Sequence, residues 1–270
     1  MTPGYRTFYI VLLLLFTGAS CRKVIHPVFE TDANAPVVIQ ATLSNQKDSA
    51  IVFISETLGI YAPNEYAGKD GAIVSITRDD SLPVLLNPLR NGRYGGHVTT
   101  GPGHNYTLKV EMEGTTYTAV SKMPARVTFD SLFITHRIVL GRELRIPTLI
   151  FRDPPQEENY YRFILWVDGF ESTTIFIETD RLFNGNQMTL ELLDLFTDSD
   201  SPTFVDKYDQ VMVEMQCISK QTYQYLYQLK ESALGQGNNL NPGNPLSNLT
   251  GGALGYFSVH TSEIKTLFAD

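Results

Sequence analysis

Residues 105–122, NYTLKVEMEGTTYTAVSK, contain the pattern that decides the fold. On both sides of Glu113-Gly114, apolar residues alternate with polar ones, which is the period of a β-strand with one buried face. The Glu-Gly pair separates the two runs at the spacing of a tight turn. The stretch therefore predicts an antiparallel hairpin.

Comparable runs precede this hairpin, with Gly, Pro, Asn and Asp clustered between them. They are rich in β-branched residues and read VVIQATLS (37–44), AIVFISET (50–57) and AIVSITRD (72–79). Five or more short strands in about ninety residues are typical of an immunoglobulin-like β-sandwich. We predict such a domain over residues 36–124, closed by Pro124.

Residues 125–270 continue as a β-rich domain, except for one segment with helical periodicity. Ser219 is a suitable N-cap and Gly235 a suitable C′ residue, so we predict a helix at about 220–234. One face of this helix should pack on the sheet through Tyr223, Leu226, Tyr227 and Leu234. The predicted class is therefore mainly β: an immunoglobulin-like sandwich, then a β-rich domain with one α-helix.

The N-terminal residues predict secretion. An apolar run from Phe8 to Phe16 is too short for a membrane span, which needs about 20 residues. Small residues and then Cys21 follow, so residues 1–20 are predicted to be a signal peptide. Cys21 resembles the lipidated cysteine of a bacterial lipobox, with residues 21–35 as a tether. Ordinary cleavage before a free cysteine is the alternative.

The charge and cysteine content of the chain limit the kinds of partner and chemistry that we expect. The net charge is −8 and no Lys/Arg cluster is present, which argues against nucleic acid and against anionic membrane surfaces. If Cys21 is lipidated, Cys217 has no cysteine with which to pair. It lies on the apolar face of the strand pattern VMVEMQC, which favours a buried, inert thiol.

No catalytic motif is present, so we expect no catalytic residue, no cofactor, no metal site and no enzyme. The histidines are never at close metal-ligand spacing. The acidic segment that contains Asp194, Asp198 and Asp200 has neither the glycine nor the final glutamate of an EF-hand loop. We therefore favour a solvated acidic loop. Two carboxylates could still meet in the fold as acid and base.

One strand and one loop are candidate ligand or partner surfaces. In NYYRFILWVDG (159–169), one strand face carries Tyr160, Arg162 and Trp166 and so mixes aromatic rings with charge, as sugar or peptide platforms do. The alternative is that both faces are covered, with Arg162 reaching water. The loop of turn-forming residues after the helix supplies the other candidates, Asn238, Asn239 and Asn241.

Ordered motifs over nearly the whole mature chain carry a resemblance. They include GPGHNYTLKVEMEGTTYTAVSKMP, FRDPPQEENYYRF, VMVEMQCISKQTYQYLYQL and NPLSNLTGGALGYFSVH. The chain resembles the Bacteroidota outer-membrane lipoprotein family called domain of unknown function 4249 (DUF4249). The resemblance implies a non-catalytic accessory or binding partner of a TonB-dependent outer-membrane receptor in nutrient uptake. It supplies no catalytic residue.

The sequence allows more than one orientation and more than one function class. Surface-exported lipoproteins of this phylum often carry acidic residues after the lipidated cysteine, whereas this chain has Arg22 and Lys23. The outer-membrane protein could therefore face the periplasm or the surface. The other function classes are an envelope hydrolase acting on glycans or peptides, and a structural or adhesion scaffold.

Overall fold

Two β-sandwiches account for most of the described chain. The structure, a computed structural model, describes residues 36–57, 67–139, 141–193, 203–233 and 244–270. These residues all belong to one unit, Asn34–Asp270. The predicted signal peptide, Cys21 and the tether lie outside the described residues.

The strands of the first half are β1 (Val37–Ser44), β2 (Ser49–Glu56), β3 (Ile73–Arg78), β4 (Val84–Leu85), β5 (Asn87–Arg90), β6 (Arg93–His97), β7 (Asn105–Met112) and β8 (Thr115–Lys122). The strands of the second half are β9 (Phe129–Val139), β10 (Arg142–Arg152), β11 (Tyr160–Val167), β12 (Phe170–Glu171), β13 (Phe176–Thr179), β14 (Gln187–Glu191), β15 (Gln210–Cys217) and β16 (Leu254–Phe268). The α-helix α1 spans Lys220–Ala233, and a short 3-10 helix spans Asp180–Leu182.

The hairpin predicted from residues 105–122 is present. Strands β7 and β8 pair in antiparallel fashion down to Met112 opposite Thr115, which leaves a two-residue turn. Both turn residues have positive φ, 51° at Glu113 and 78° at Gly114. Such turns match the right-handed twist of paired strands. The prediction of a tight hairpin at Glu113-Gly114 is therefore confirmed.

The first sandwich packs the sheet β4-β3-β7-β8 against strands β5, β6, β2, β1 and the first part of β16. The inward residues of both layers form one core, which includes Ile39, Val52, Val74, Tyr94, Leu108 and Phe257. Alternation along the strands places these side chains on one face, and burying that face drives the packing.

The second sandwich has the same two-layer plan. The sheet β14-β10-β9 faces strands β12, β13, β11, β15 and the last part of β16. Its core includes Phe151, Tyr161, Phe163, Val213 and Met215. The predicted fold class is therefore confirmed: the described residues are mainly β, with sandwich packing and one α-helix.

Strand β16 belongs to both sandwiches. Its residues 254–260 pair in parallel with β1, while residues 261–268 pair in antiparallel fashion with β15. The change of partner between His260 and Thr261 joins the two halves in one nine-stranded sheet. The division at Pro124 into independent domains stays a prediction, and the closing strand contributes to both cores.

Helix α1 lies on the sheet close to its predicted bounds. Ser219 is the N-cap, and its Oγ accepts a hydrogen bond of 3.2 Å from the Thr222 N–H. Tyr225 and Leu226 are buried and form a small cluster with Tyr160. Tyr227 is 48% exposed, so the prediction that it packs on the sheet is wrong. The buried face is centred on Tyr225 and Leu226 and turns Tyr227 toward solvent.

The predicted C′ residue Gly235 and the predicted contact residue Leu234 lie outside the described residues. Within the described ranges, no helix combines the length and apolar character needed to cross a membrane.

Candidate functional site

A groove opens where the two sandwiches meet. It has a volume of about 490 Å³ and is bounded by the end of β8, the loop before β11 and the start of α1. Its lining includes Pro102, Gly103, Lys122, Met123, Glu157, Glu158, Asn159, Tyr160, Cys217 and Lys220. Segments far apart in the sequence therefore form its walls.

Buried carboxylates hold the loop that forms one wall. Asp153 accepts hydrogen bonds from the Tyr161 hydroxyl and, at 3.1 Å, from the Gly185 N–H. Asp180 accepts a 2.8 Å bond from the Asn159 N–H. Burial, reinforced by Asp153, raises the pKa of Tyr161, so its hydroxyl remains a donor. Both ends of the loop are thus fixed by satisfied buried groups.

Three side chains cluster at the rim of the groove: Glu158, Tyr160 and Lys220. The Lys220 Nζ lies 3.2 Å from the Glu158 Oε2 and 5.9 Å from the centre of the Tyr160 ring. Hydrogen bonding from Tyr160, together with Lys220, holds the pKa of Glu158 below its usual value. Burial, and then Glu158, raises the pKa of Tyr160. Glu158 therefore remains an anion and Tyr160 a neutral donor.

The ion pair at this rim has little structural value. Glu158 and Lys220 are each about half exposed, and solvent-exposed ion pairs contribute little to stability. Lys220 also occupies the first position of α1, where a positive charge opposes the helix dipole. Hydrogen bonding to Tyr160, and then to Glu158, raises the pKa of Lys220, so its positive charge is retained at the rim.

Aromatic rings extend from this rim along the helix. The ring centres of Tyr160 and Tyr223 are 5.1 Å apart, at an interplanar angle of 45°. Tyr223 and Tyr227 stack at 6.2 Å and 24°. A second hollow of about 340 Å³ lies here, lined by Glu158, Tyr160, Thr179, Arg181, Lys220, Tyr223 and Gln224. The cluster of Glu158, Tyr160 and Lys220 therefore separates two adjoining hollows.

The residues predicted from β11 do not form one compact site. Tyr161 and its alternate neighbours face the core, and Tyr160, Arg162 and Trp166 lie on the opposite face, as the pattern predicts. Of these three, only Tyr160 lines the groove. Trp166 is about 20 Å further along the strand, from six residues at about 3.3 Å each. Arg162 and Trp166 are half-buried, and their binding role stays a prediction.

Asn238, Asn239, Asn241 and the acidic residues Asp194, Asp198 and Asp200 lie outside the described residues. The described part of the same loop has a structural role. Asn248 exchanges two 2.9 Å hydrogen bonds with the backbone of Phe257. The Thr250 N–H donates to the Thr118 carbonyl at 2.7 Å. These bonds fasten the loop to β16 and to the edge of β8.

Sequence reasoning missed Glu158, Arg181, Lys220 and Tyr223 as site residues. The available signal was a lysine directly after a helix N-cap, together with a pair of glutamates before an aromatic strand. Neither signal indicates that Glu158 and Lys220, 62 residues apart, come together.

Cys217 forms part of the groove floor without being reactive there. It is buried, and its thiol accepts a 3.3 Å hydrogen bond from the Val127 N–H. Burial raises the pKa of this thiol, which disfavours the thiolate. Within the described ranges, no three His, Cys, Asp or Glu side chains group as metal ligands.

The fold and the groove define a protein of two β-sandwiches joined by a shared strand, with a polar and aromatic groove at the junction. The chain belongs to the family described as Domain of unknown function (DUF4249), whose family model matches residues 24–266. A comparison with curated proteins gives no match.

Proposed function

We propose that the protein is a lipid-anchored lipoprotein of the outer membrane that acts as a non-catalytic accessory or binding partner of a TonB-dependent receptor in nutrient uptake. The observation that carries the proposal is the N-terminal order of a short apolar run, four small residues and Cys21. Diacylglycerol on the Cys21 thiol and an acyl chain on its amine would anchor the protein stably.

The groove supports a binding role within this proposal. Its walls come from both sandwiches, and it presents aromatic and charged groups beside an apolar floor. Binding sites are typically concave and largely preformed, with a few polar groups that orient the ligand.

Lipidation is tested by metabolic labelling with an alkyne fatty acid, followed by fractionation of the cell envelope. The wild type should carry the label and remain with the membrane, and Cys21→Ala should lose both. Cys217→Ala is the matched control because it removes the other cysteine, and it should keep both. A labelled Cys21→Ala protein would contradict the anchor.

The accessory role is tested by purifying the native protein in mild detergent and identifying co-purifying proteins by mass spectrometry. A TonB-dependent receptor in stoichiometric amount is the expected result. Recovery of the protein alone, under conditions that preserve other receptor complexes, would contradict the role.

One observation favours a second function, an envelope hydrolase acting on glycans or peptides. Glu157 and Glu158 line the same groove, and paired carboxylates are the usual catalytic groups of glycoside hydrolysis. Purified protein would be incubated with envelope glycans and peptides and the products measured. Product formation abolished by Glu157→Gln or Glu158→Gln would establish this function instead.

A further inference from the structure

We propose that the two adjoining hollows form one binding site for a neutral oligosaccharide, with a sugar ring stacked on Tyr223 and its hydroxyls bound by Glu158, Lys220 and Arg181. This inference rests on the binding function proposed for the groove, and it names the ligand class.

The aromatic surface is the first reason. Tyr223 is half-buried and lines the second hollow, and its ring neighbours the rings of Tyr160 and Tyr227. Packing between neighbouring rings limits its movement, so the part of the ring that lines the hollow can bind a ligand without much loss of side-chain freedom. One face of a pyranose ring presents C–H groups that can pack on such a surface.

The polar groups are the second reason. Glu158 is an acceptor, and Lys220 and Arg181 are donors, all at the border of the ring surface and all solvent-exposed. A carboxylate or a guanidinium can make two hydrogen bonds to one ligand, which suits adjacent sugar hydroxyls. The exposed Glu158–Lys220 pair is weak enough to exchange its mutual bond for bonds to hydroxyls.

The charge balance favours a neutral ligand. Three cations, Lys122, Arg181 and Lys220, and two anions, Glu157 and Glu158, line the two hollows. Because positive and negative side chains are interspersed around the site, it should bind neither a polyanion nor a polycation selectively. Peptides can bind along a strand edge or in an aromatic-lined groove, so a peptide is the competing ligand in the test. The walls here combine loop and helix side chains with residues at the ends of strands.

The size of the site favours more than one sugar unit. The hollows of about 490 Å³ and about 340 Å³ share Glu158, Tyr160 and Lys220. Each is within the range of sites that hold a small organic molecule. A ligand that crosses the shared rim would contact both hollows, so a trisaccharide should bind more tightly than its monosaccharide.

The test is isothermal titration of the purified full-length protein in detergent with neutral trisaccharides of glucose, mannose, galactose and N-acetylglucosamine, and with trialanine as the peptide probe. Tyr223→Ala removes the stacking surface and should weaken binding about tenfold, whereas Tyr223→Phe should retain it. Tyr208→Ala removes an exposed tyrosine outside the site and is the control. Glu158→Gln changes an exposed side chain, so the protein should still fold, and the variant should bind the sugar several-fold more weakly.

The inference is supported if at least one trisaccharide binds with a Kd below about 10 mM, if Tyr223→Ala weakens that binding about tenfold, and if Tyr223→Phe and Tyr208→Ala retain it. No sugar binding in that range, sugar binding unchanged in Tyr223→Ala and Glu158→Gln, or binding of trialanine alone would overturn it. This test is independent of the test of the accessory role. If the protein binds a sugar but no receptor co-purifies, this inference is supported and only the accessory role is contradicted.

Discussion

His260 should make the protein sensitive to mild acid. Its side chain is only 4% exposed, at the point where β16 changes partners, and its Nδ1 lies 3.4 Å from the Ser258 Oγ. Burial, with the nearby Arg162 guanidinium, lowers the pKa of His260 to about 3. Both causes oppose a positive charge on the imidazole, so the residue is neutral in the folded protein.

The pH dependence follows from proton linkage. In the unfolded chain, the histidine has its ordinary pKa of about 6.5 and takes up a proton below that value, while the folded chain does not. The free energy of unfolding is therefore unaffected above about pH 6.5 and falls as the pH drops toward about 3. With 1.36 kcal/mol for each pKa unit, the loss between about pH 7 and about pH 5 is about 2 kcal/mol.

The assay is urea unfolding of purified protein at both pH values, followed by circular dichroism. His260→Gln should lose about 2 kcal/mol less than the wild type over this interval, whatever its stability at neutral pH. His97→Gln removes an exposed histidine and should lose as much as the wild type. An equal pH-dependent loss in His260→Gln and the wild type would refute the reasoning.

Three further predictions concern stability. The buried Thr179 Oγ1 has no hydrogen-bond partner, so Thr179→Val should stabilise the fold by about 1 kcal/mol. The Thr148 hydroxyl donates to Thr135, so Thr148→Val should destabilise the fold by about as much. Urea unfolding of both variants measures the contrast. A Cβ on Gly255 would lie 2.1 Å from the Ile39 carbonyl oxygen, so Gly255→Ala should lower the melting temperature far more than Gly252→Ala, whose Cβ would meet no atom within 4 Å. Because β16 serves both sandwiches, calorimetry should show one cooperative transition, and two separated transitions would contradict that coupling.

Local features of the fold could be predicted because their causes are local. Alternation marks the strand faces, the Glu113-Gly114 pair marks a two-residue turn, and Ser219 marks the start of α1. Each depends on residues within a few positions of one another. The packing face of α1 was only partly predictable, because the surface that covers Tyr225 and leaves Tyr227 exposed comes from other strands.

The shared strand and the groove could not be predicted, since both depend on distant pairings. Strand β16 pairs in parallel with β1, more than two hundred residues earlier, and a parallel ladder has no local turn to announce it. Alternation indicates that β11 has two faces, but it does not indicate that helix α1 covers the Tyr160 end and leaves the Trp166 end without that cover. Loop and helix side chains meet only after these elements pack.

The shared strand also explains how a groove between two sandwiches can be a defined site. Interfaces between separate domains are usually small and polar, and relative motion is expected. Here, β16 pairs with β1 through its first part and with β15 through its last part. The wall at Lys122 comes from the end of β8, whose sheet packs on β1 and β16 in the first sandwich, and the wall at Lys220 begins directly after β15. A ligand would therefore meet walls already in position, and little of its binding free energy would be lost in ordering them. This arrangement favours recognition of a small, weakly interacting ligand over a large one that requires closure.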